Sequence, residues 1–178
     1  MSTMTPEYSA LQVADYFIFK AHEGKQGLIS NLKLQKLLYY AQGLHLARFD
    51  RPLFKERVQA WTYGPVVVDA YHKYKEWEDR GIPATEDDDY SHIDENTKVF
   101  LNEIYEIFGK FSAFRLMELS HSDDCWKDAG TGNEITLESM RGDLKKYLKY
   151  INIKISEDCS DQVGDMSPER SPDDESAA

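Results

Sequence analysis

Apolar residues return at three- and four-residue spacing in stretch after stretch of this chain, and that helical period is what most narrows the folds open to it. The first stretch runs Ala10, Val13, Ala14, Phe17, Ile18 and Ala21, with Ser9 placed to cap it and Gly24 and Gly27 to end it. The second, Leu34, Leu37, Leu38, Ala41, Leu44 and His45, follows a cap at Ser30 or Asn31. Gly43 interrupts it at a cost of about 1 kcal/mol relative to alanine, which a close approach of another backbone would offset. Phe100, Ile104, Ile107 and Phe108 mark a further helix closed by Gly109. Ser112 caps the next, in which the spacing turns Phe114, Leu116 and Met117 inward. Thr136 caps a last helix carrying Leu137, Met140, Leu144, Tyr147, Leu148 and Ile151.

Residues 59–66, QAWTYGPV, depart from this period. The preceding FKERVQAWTY is rich enough in β-branched and aromatic residues for one short strand, and Trp61 and Tyr63, two apart, then share a face. Pro65 has a fixed φ and no amide hydrogen, which suits the first position of a helix. Val66, Val67, Ala70, Tyr71, Tyr74 and Trp77 continue from it at helical spacing, giving a helix to about Asp79 that Gly81 and Pro83 stop. The expected fold is therefore mainly α: a compact single-domain bundle of about six helices, with one short β element around residues 57–63 and no internal repeat.

A chain of 178 residues supports one well-cored domain, and 41% hydrophobic with 30% charged residues is a globular composition. Residues 1–155 are assigned to that domain. Most of the net charge of −11 falls in residues 156–178, where acids greatly outnumber the single base Arg170 and apolar residues are nearly absent. Such a segment cannot offset its ordering entropy by burial, so a disordered acidic tail is expected there. No run reaches the roughly 20 apolar residues of a membrane helix, and MSTMTPEYSA lacks the pattern of a secretory signal. Cys125 and Cys159 alone make no disulfide framework. A cytoplasmic location is the expectation.

The motifs of catalysis are weak. His22, His45, His72, His92 and His121 show no metal-binding pair around a glutamate, and no metal or cofactor is expected. ELSHSDDCW crowds Ser120, His121, Asp123, Asp124 and Cys125 together, but neighbours in sequence rarely meet with catalytic geometry. A structural reading places His121 at the end of the helix begun at Ser112, against its free carbonyls, with Asp123 or Asp124 capping the next turn. GTGN at 130–133 lacks the lysine of a phosphate loop, and TEDDDY lacks the alternating ligands and glycine of a calcium loop. Lys33, Lys36, Lys145, Lys146 and Lys149 make only modest basic stripes on an acidic chain, a poor footprint for nucleic acid. No catalytic residue is assigned.

KLQKLLYYAQGLHL, LFKERVQAWTYGPVVVDAYHKY and FSAFRLMELSHSDDCWKDA, in that order, resemble the signature blocks of the Panacea domain, the SocA-like antitoxin domain. The resemblance covers about residues 9–150. It rests on Leu34, Lys36, Leu37, Leu38 and Tyr39, then Trp61, Tyr63, Gly64, Pro65, Val66 and Tyr71, then Leu119, His121 and Trp126. It implies a cytoplasmic bacterial or prophage protein that neutralises a neighbouring toxin by direct contact, in some members as an adaptor delivering it to a protease. It implies no catalytic residues. A phage-encoded accessory protein that binds a host protein or DNA stays open beside it. So do two uses of the aromatics, as a buried staple on the helix of Tyr71 or as a contact surface. The surface reading predicts a shallow groove lined by Tyr63, Tyr71 and Trp126 and flanked by Lys36 and Asp69, with Trp61 counted among the partner-binding residues and Gly64, Pro65 and His121 as structural residues.

Overall fold

The computed structural model describes residues 6–24, 26–85 and 89–152; the acidic segment 156–178 and the end of the assigned domain lie outside the described residues. The caps expected from sequence form. Helix α1 (Ala10–Glu23) opens with a capping box in which Ser9 Oγ accepts from the Gln12 amide and the Gln12 side chain accepts from the Ser9 amide. Ser112 and Thr136 cap α5 (Ala113–His121) and α7 (Leu137–Leu144) through the amide three residues on, and Asp94, which the sequence reading did not single out, does the same for α4 (Glu95–Phe108).

Helix α2 (Asn31–Phe49), capped by Ser30, is the axis of the molecule. Sequence spacing predicted one apolar stripe, yet Gln35, Lys36, Tyr39, Tyr40 and Gln42 are buried along with the leucines. The reason is tertiary: α1, α4, α5, α7 and a small sheet pack around α2 and leave it almost no solvent face. At Gly43 a Cβ would lie 2.1 Å from Leu144 Cδ1. The close approach expected there is made by a side chain of α7, not by backbone.

The β element is larger than expected. β1 (Val58–Trp61) and β2 (Gly64–Val67) form an antiparallel hairpin joined by Thr62 and Tyr63, and β3 (Glu134–Ile135) pairs with the other side of β1. Pro65, expected to begin a helix, is inside β2 opposite Ala60; α3 (Val68–Tyr74) starts three residues later. The ladder explains the tolerance. The amide and carbonyl of Ala60 are engaged on the β3 side, by Asn133 O and the Gly132 amide. Position 65 therefore faces away from β1, where a missing N–H costs the hairpin nothing.

Two other expectations are corrected. The helix expected to continue from Thr136 to Ile151 is divided: α7 ends at Leu144, a 3-10 turn covers Lys145–Tyr147, and Leu148–Asn152 forms the last helix. That break turns Tyr147 into the interior. On α5 it is Leu116 and Leu119 that reach the core, while Met117 is only half-buried and Phe114, about 200° round the helix from Leu116, is 62% exposed. Among the described residues no helix is long and apolar enough to cross a membrane.

Candidate functional site

Three of the aromatics singled out in the sequence meet at one groove. Trp61 and Tyr63 from the hairpin and Tyr71 from α3 line a hollow of about 790 Å³, with Leu32 and Val66 on its floor and Lys75 and Glu78 at its rim. The Trp61 and Tyr71 rings pack edge to face, centroids 4.9 Å apart, and the indole N–H donates to Gln59 Oε1 at 3.0 Å. Both rings are half-buried, whereas Tyr63 at the hairpin tip is 68% exposed. Trp61 thus packs the hairpin against α3 and also lines the groove. A smaller hollow around Arg48, Phe49 and Val99 contains none of the motif residues.

The remaining candidates lie elsewhere. Asp69 is exposed on α3 but does not line the groove. Trp126, on α6 (Asp124–Ala129), lies beneath the hairpin and donates its indole N–H to Trp61 O at 3.1 Å. Lys36 is not a flanking surface cation at all. Its side chain is 0% exposed, and its amine donates to Pro65 O at 3.1 Å. Burial without a carboxylate partner pulls its pKa down to about 7. Asn31, Leu32, Gln35, Thr131 and Gly132, which complete the groove wall, were not anticipated. The α2 members share the i, i+4 face that precedes the signature, but Thr131 and Gly132 arrive only through the pairing of β3 with β1.

Under the hairpin the signature blocks interlock. Gly64 has φ +96°, and a Cβ there would stand 2.6 Å from both Lys36 Cε and Ser120 Oγ. The His121 ring stacks on Trp126 with centroids 4.3 Å apart, and its Nε2 is buried without a hydrogen-bond partner. Its pKa is lowered, mainly by desolvation, with a backbone contact to Thr62 opposing. His121 does end α5, as expected, but it leans on the hairpin and Trp126. Gly64→Ala combines a disfavoured φ with overpacking and is expected to cost roughly 2 kcal/mol. An unchanged urea midpoint would show that the turn absorbs a side chain freely.

The other polar residues of ELSHSDDCW face a different way. Asp123, in the N-cap position of α6, makes no side-chain cap. Its carboxylate is fully buried and accepts from Tyr39 OH (3.0 Å), Tyr40 OH (3.1 Å), Tyr147 OH (2.6 Å) and Lys146 Nζ (2.9 Å). Desolvation raises its pKa against the pull of Lys146 and the hydroxyls. The Cys125 thiol, 3.1 Å from Tyr39 OH, is pushed up to about 12 by burial, which leaves it un-ionised near neutrality. Ser120 Oγ donates to Met117 O. Ser120 and His121 are engaged with separate partners, Asp123 and Cys125 share the Tyr39 hydroxyl, and these four side chains align no nucleophile with a base.

Fold and site define a helical domain built on a buried central helix, with an aromatic groove walled by a short hairpin. The family model described as Antitoxin SocA-like, Panacea domain, matches residues 34–127, more than half of the chain, and the chain belongs to that family. Over 38 residues it is 55% identical to the protein named Antitoxin SocA of Caulobacter vibrioides (strain NA1000 / CB15N), a match covering 21% of this chain and 20% of the relative. The chain thus aligns with about a fifth of that curated relative's length. No solved structure matches.

Proposed function

We propose that this chain is an antitoxin that neutralises a cognate toxin in the cytoplasm by direct, stoichiometric contact, using the groove beside the β1–β2 hairpin. The observation that carries this reading is the convergence of Trp61, Tyr63 and Tyr71 on one open, largely apolar hollow, with Tyr63 two-thirds exposed at the tip. Rigid aromatics with a polar handle supply most of the energy in protein interfaces, and leaving one in water at a hairpin tip has no benefit for the fold. Membership of an antitoxin family supports a toxin as the occupant. The engagement of Ser120 with Met117 O, of His121 with Trp126, and of Asp123 and Cys125 with Tyr39 supports action by occupancy, without turnover. Blocking the toxin and delivering it to a protease both begin with this contact.

The test is co-expression with the product of a neighbouring toxic gene. A stoichiometric complex is expected, with Tyr63 and Tyr71 losing solvent exposure in it. Tyr63→Ala and Tyr71→Ala should each weaken binding by about 2 kcal/mol, roughly thirty-fold, with the melting temperature held. Rescue by substoichiometric amounts of this chain with no protease present would point to catalysis and end the occupancy reading.

A further inference from the structure

The hairpin that carries Trp61 and Tyr63 has an open edge. Among the described residues, strand β2, at one end of the order β2-β1-β3, has no strand on its outer side, and an unpaired edge is costly when buried. Two adjacent side chains of α2 occupy that edge. Gln35 Oε1 accepts from the Val67 amide at 2.9 Å, and Lys36 Nζ donates to Pro65 O at 3.1 Å. Those are two of the β2 groups that the register turns away from β1, and Pro65 has no N–H left to satisfy. Gln35 passes the connection on: its Nε2 donates to Asn31 Oδ1, and Asn31 Nδ2 donates to Tyr71 O. The hairpin strand, the central helix and the helix bearing Tyr71 are thereby joined through side chains, and Trp61 and Tyr71 come to rest against each other in the lining of the same groove.

We propose that Gln35 and Lys36 are positioning residues for the recognition hairpin, standing in for a neighbouring strand, and that the Lys36 amine makes this latch proton-sensitive. The inference rests on the groove reading above for its functional meaning, though not for its test. The amine is shut in by Gly64 and Ser120, and the titratable group that faces it across the packing is His121 on α5, itself without a partner at Nε2. On its own helix, Lys33 reaches away to Gly109 O, and Tyr39 and Tyr40 turn to Asp123. The Asp123 carboxylate is occupied by three tyrosines and Lys146. A proton taken up by Lys36 in the closed latch therefore meets no counter-charge, whereas the same amine released into water by opening of the hairpin is an ordinary, strongly basic lysine. Opening takes up a proton at any pH between those two affinities, so the closed state gains as pH rises through that range.

Native-state hydrogen exchange on the full chain, with no partner present, reads this directly. After correction for intrinsic exchange, amides of residues 58–67 are expected to gain protection about tenfold per pH unit between pH 7 and 9. His121 titrates below this window, its pKa being lowered from 6.5. Lys36→Met should abolish the pH slope in the hairpin. A slope that survives in Lys36→Met, or a flat wild-type profile, would overturn the proposal. Should Lys36→Met fail to fold, titration of the lysine 13Cε signals in the wild-type protein decides it: one amine titrating near neutrality supports the latch, and all lysines titrating near 10 refute it. Because no toxin is in the sample, loss of the groove reading leaves a positive result here intact, while loss of the latch leaves the groove to be tested by Tyr63→Ala and Tyr71→Ala.

Discussion

Asp123→Ala is expected to lower the unfolding free energy by about 3–5 kcal/mol, the usual consequence of removing one member of a buried ionic network. The carboxylate, at the start of α6, joins Tyr39 and Tyr40 on α2 to Lys146 and Tyr147, both in the 3-10 turn after α7. Alanine strands three buried hydroxyls at once, and each unpaired group costs about 1–3 kcal/mol before the structure relaxes. For a domain whose total stability is of the order of 5–15 kcal/mol, that is a large fraction. Asp123→Asn keeps an acceptor of the same shape and should lose clearly less. Urea unfolding of the three proteins checks both statements. A loss under about 1 kcal/mol for Asp123→Ala would show that water replaces the carboxylate, and that the residue is not the tie between α2, α6 and the chain's last helical turns.

The second large effect is a rise of stability with pH on the alkaline side of neutrality. Lys36 has a folded pKa of about 7 against 10.5 when unfolded, so between these values the unfolded chain holds a proton that the folded one does not. Stability is then expected to rise with pH, by about 2 kcal/mol from pH 7 to pH 9. Below pH 7 this contribution is flat, because both states are protonated. Above pH 9 the sign is opposed by Cys125, whose thiol ionises near 9 when unfolded and near 12 when folded. Above about pH 10 it is reversed as the unfolded forms of Tyr39, Tyr40 and Tyr147 ionise while burial holds the folded ones neutral. A maximum near pH 9 is expected in the wild type. In Lys36→Met the rise between pH 7 and 9 should vanish. Denaturant midpoints at half-unit intervals measure it, and parallel curves for the two proteins would show that the amine is hydrated or paired in solution.

Local features of the fold were legible in the sequence because their causes are local. The Ser9 capping box needs only Gln12, and the helical stripes of α1 and α4 need only their own period. The signature blocks that mark the family lie within short segments for the same reason, and the aromatics of the groove were picked out with them. Pro65 shows where local reasoning ends. Its chemistry fits a helix start and an edge strand equally, and the choice fell to the pairing of Ala60 with segment 132–133, far along the chain.

The same holds for the polar residues of the signature. Lys36 reads as a surface cation and Asp123 as a helix cap, because nothing adjacent to either says that it will be enclosed. Tyr39 and Asp123 are 84 positions apart, and Lys36 and Pro65 are 29 apart. Whether a charge is buried is decided by which distant elements close over it, and α2 is covered on every side only once α5, α7 and the hairpin have docked. The sequence by itself determined the main helical stretches, the caps at Ser9, Ser112 and Thr136, the strand at Trp61 and the family. Only the tertiary structure decided that one signature lysine holds the edge of the hairpin and one signature aspartate ties the core, since the free energy of a buried polar group is set by partners that the linear order does not place beside it.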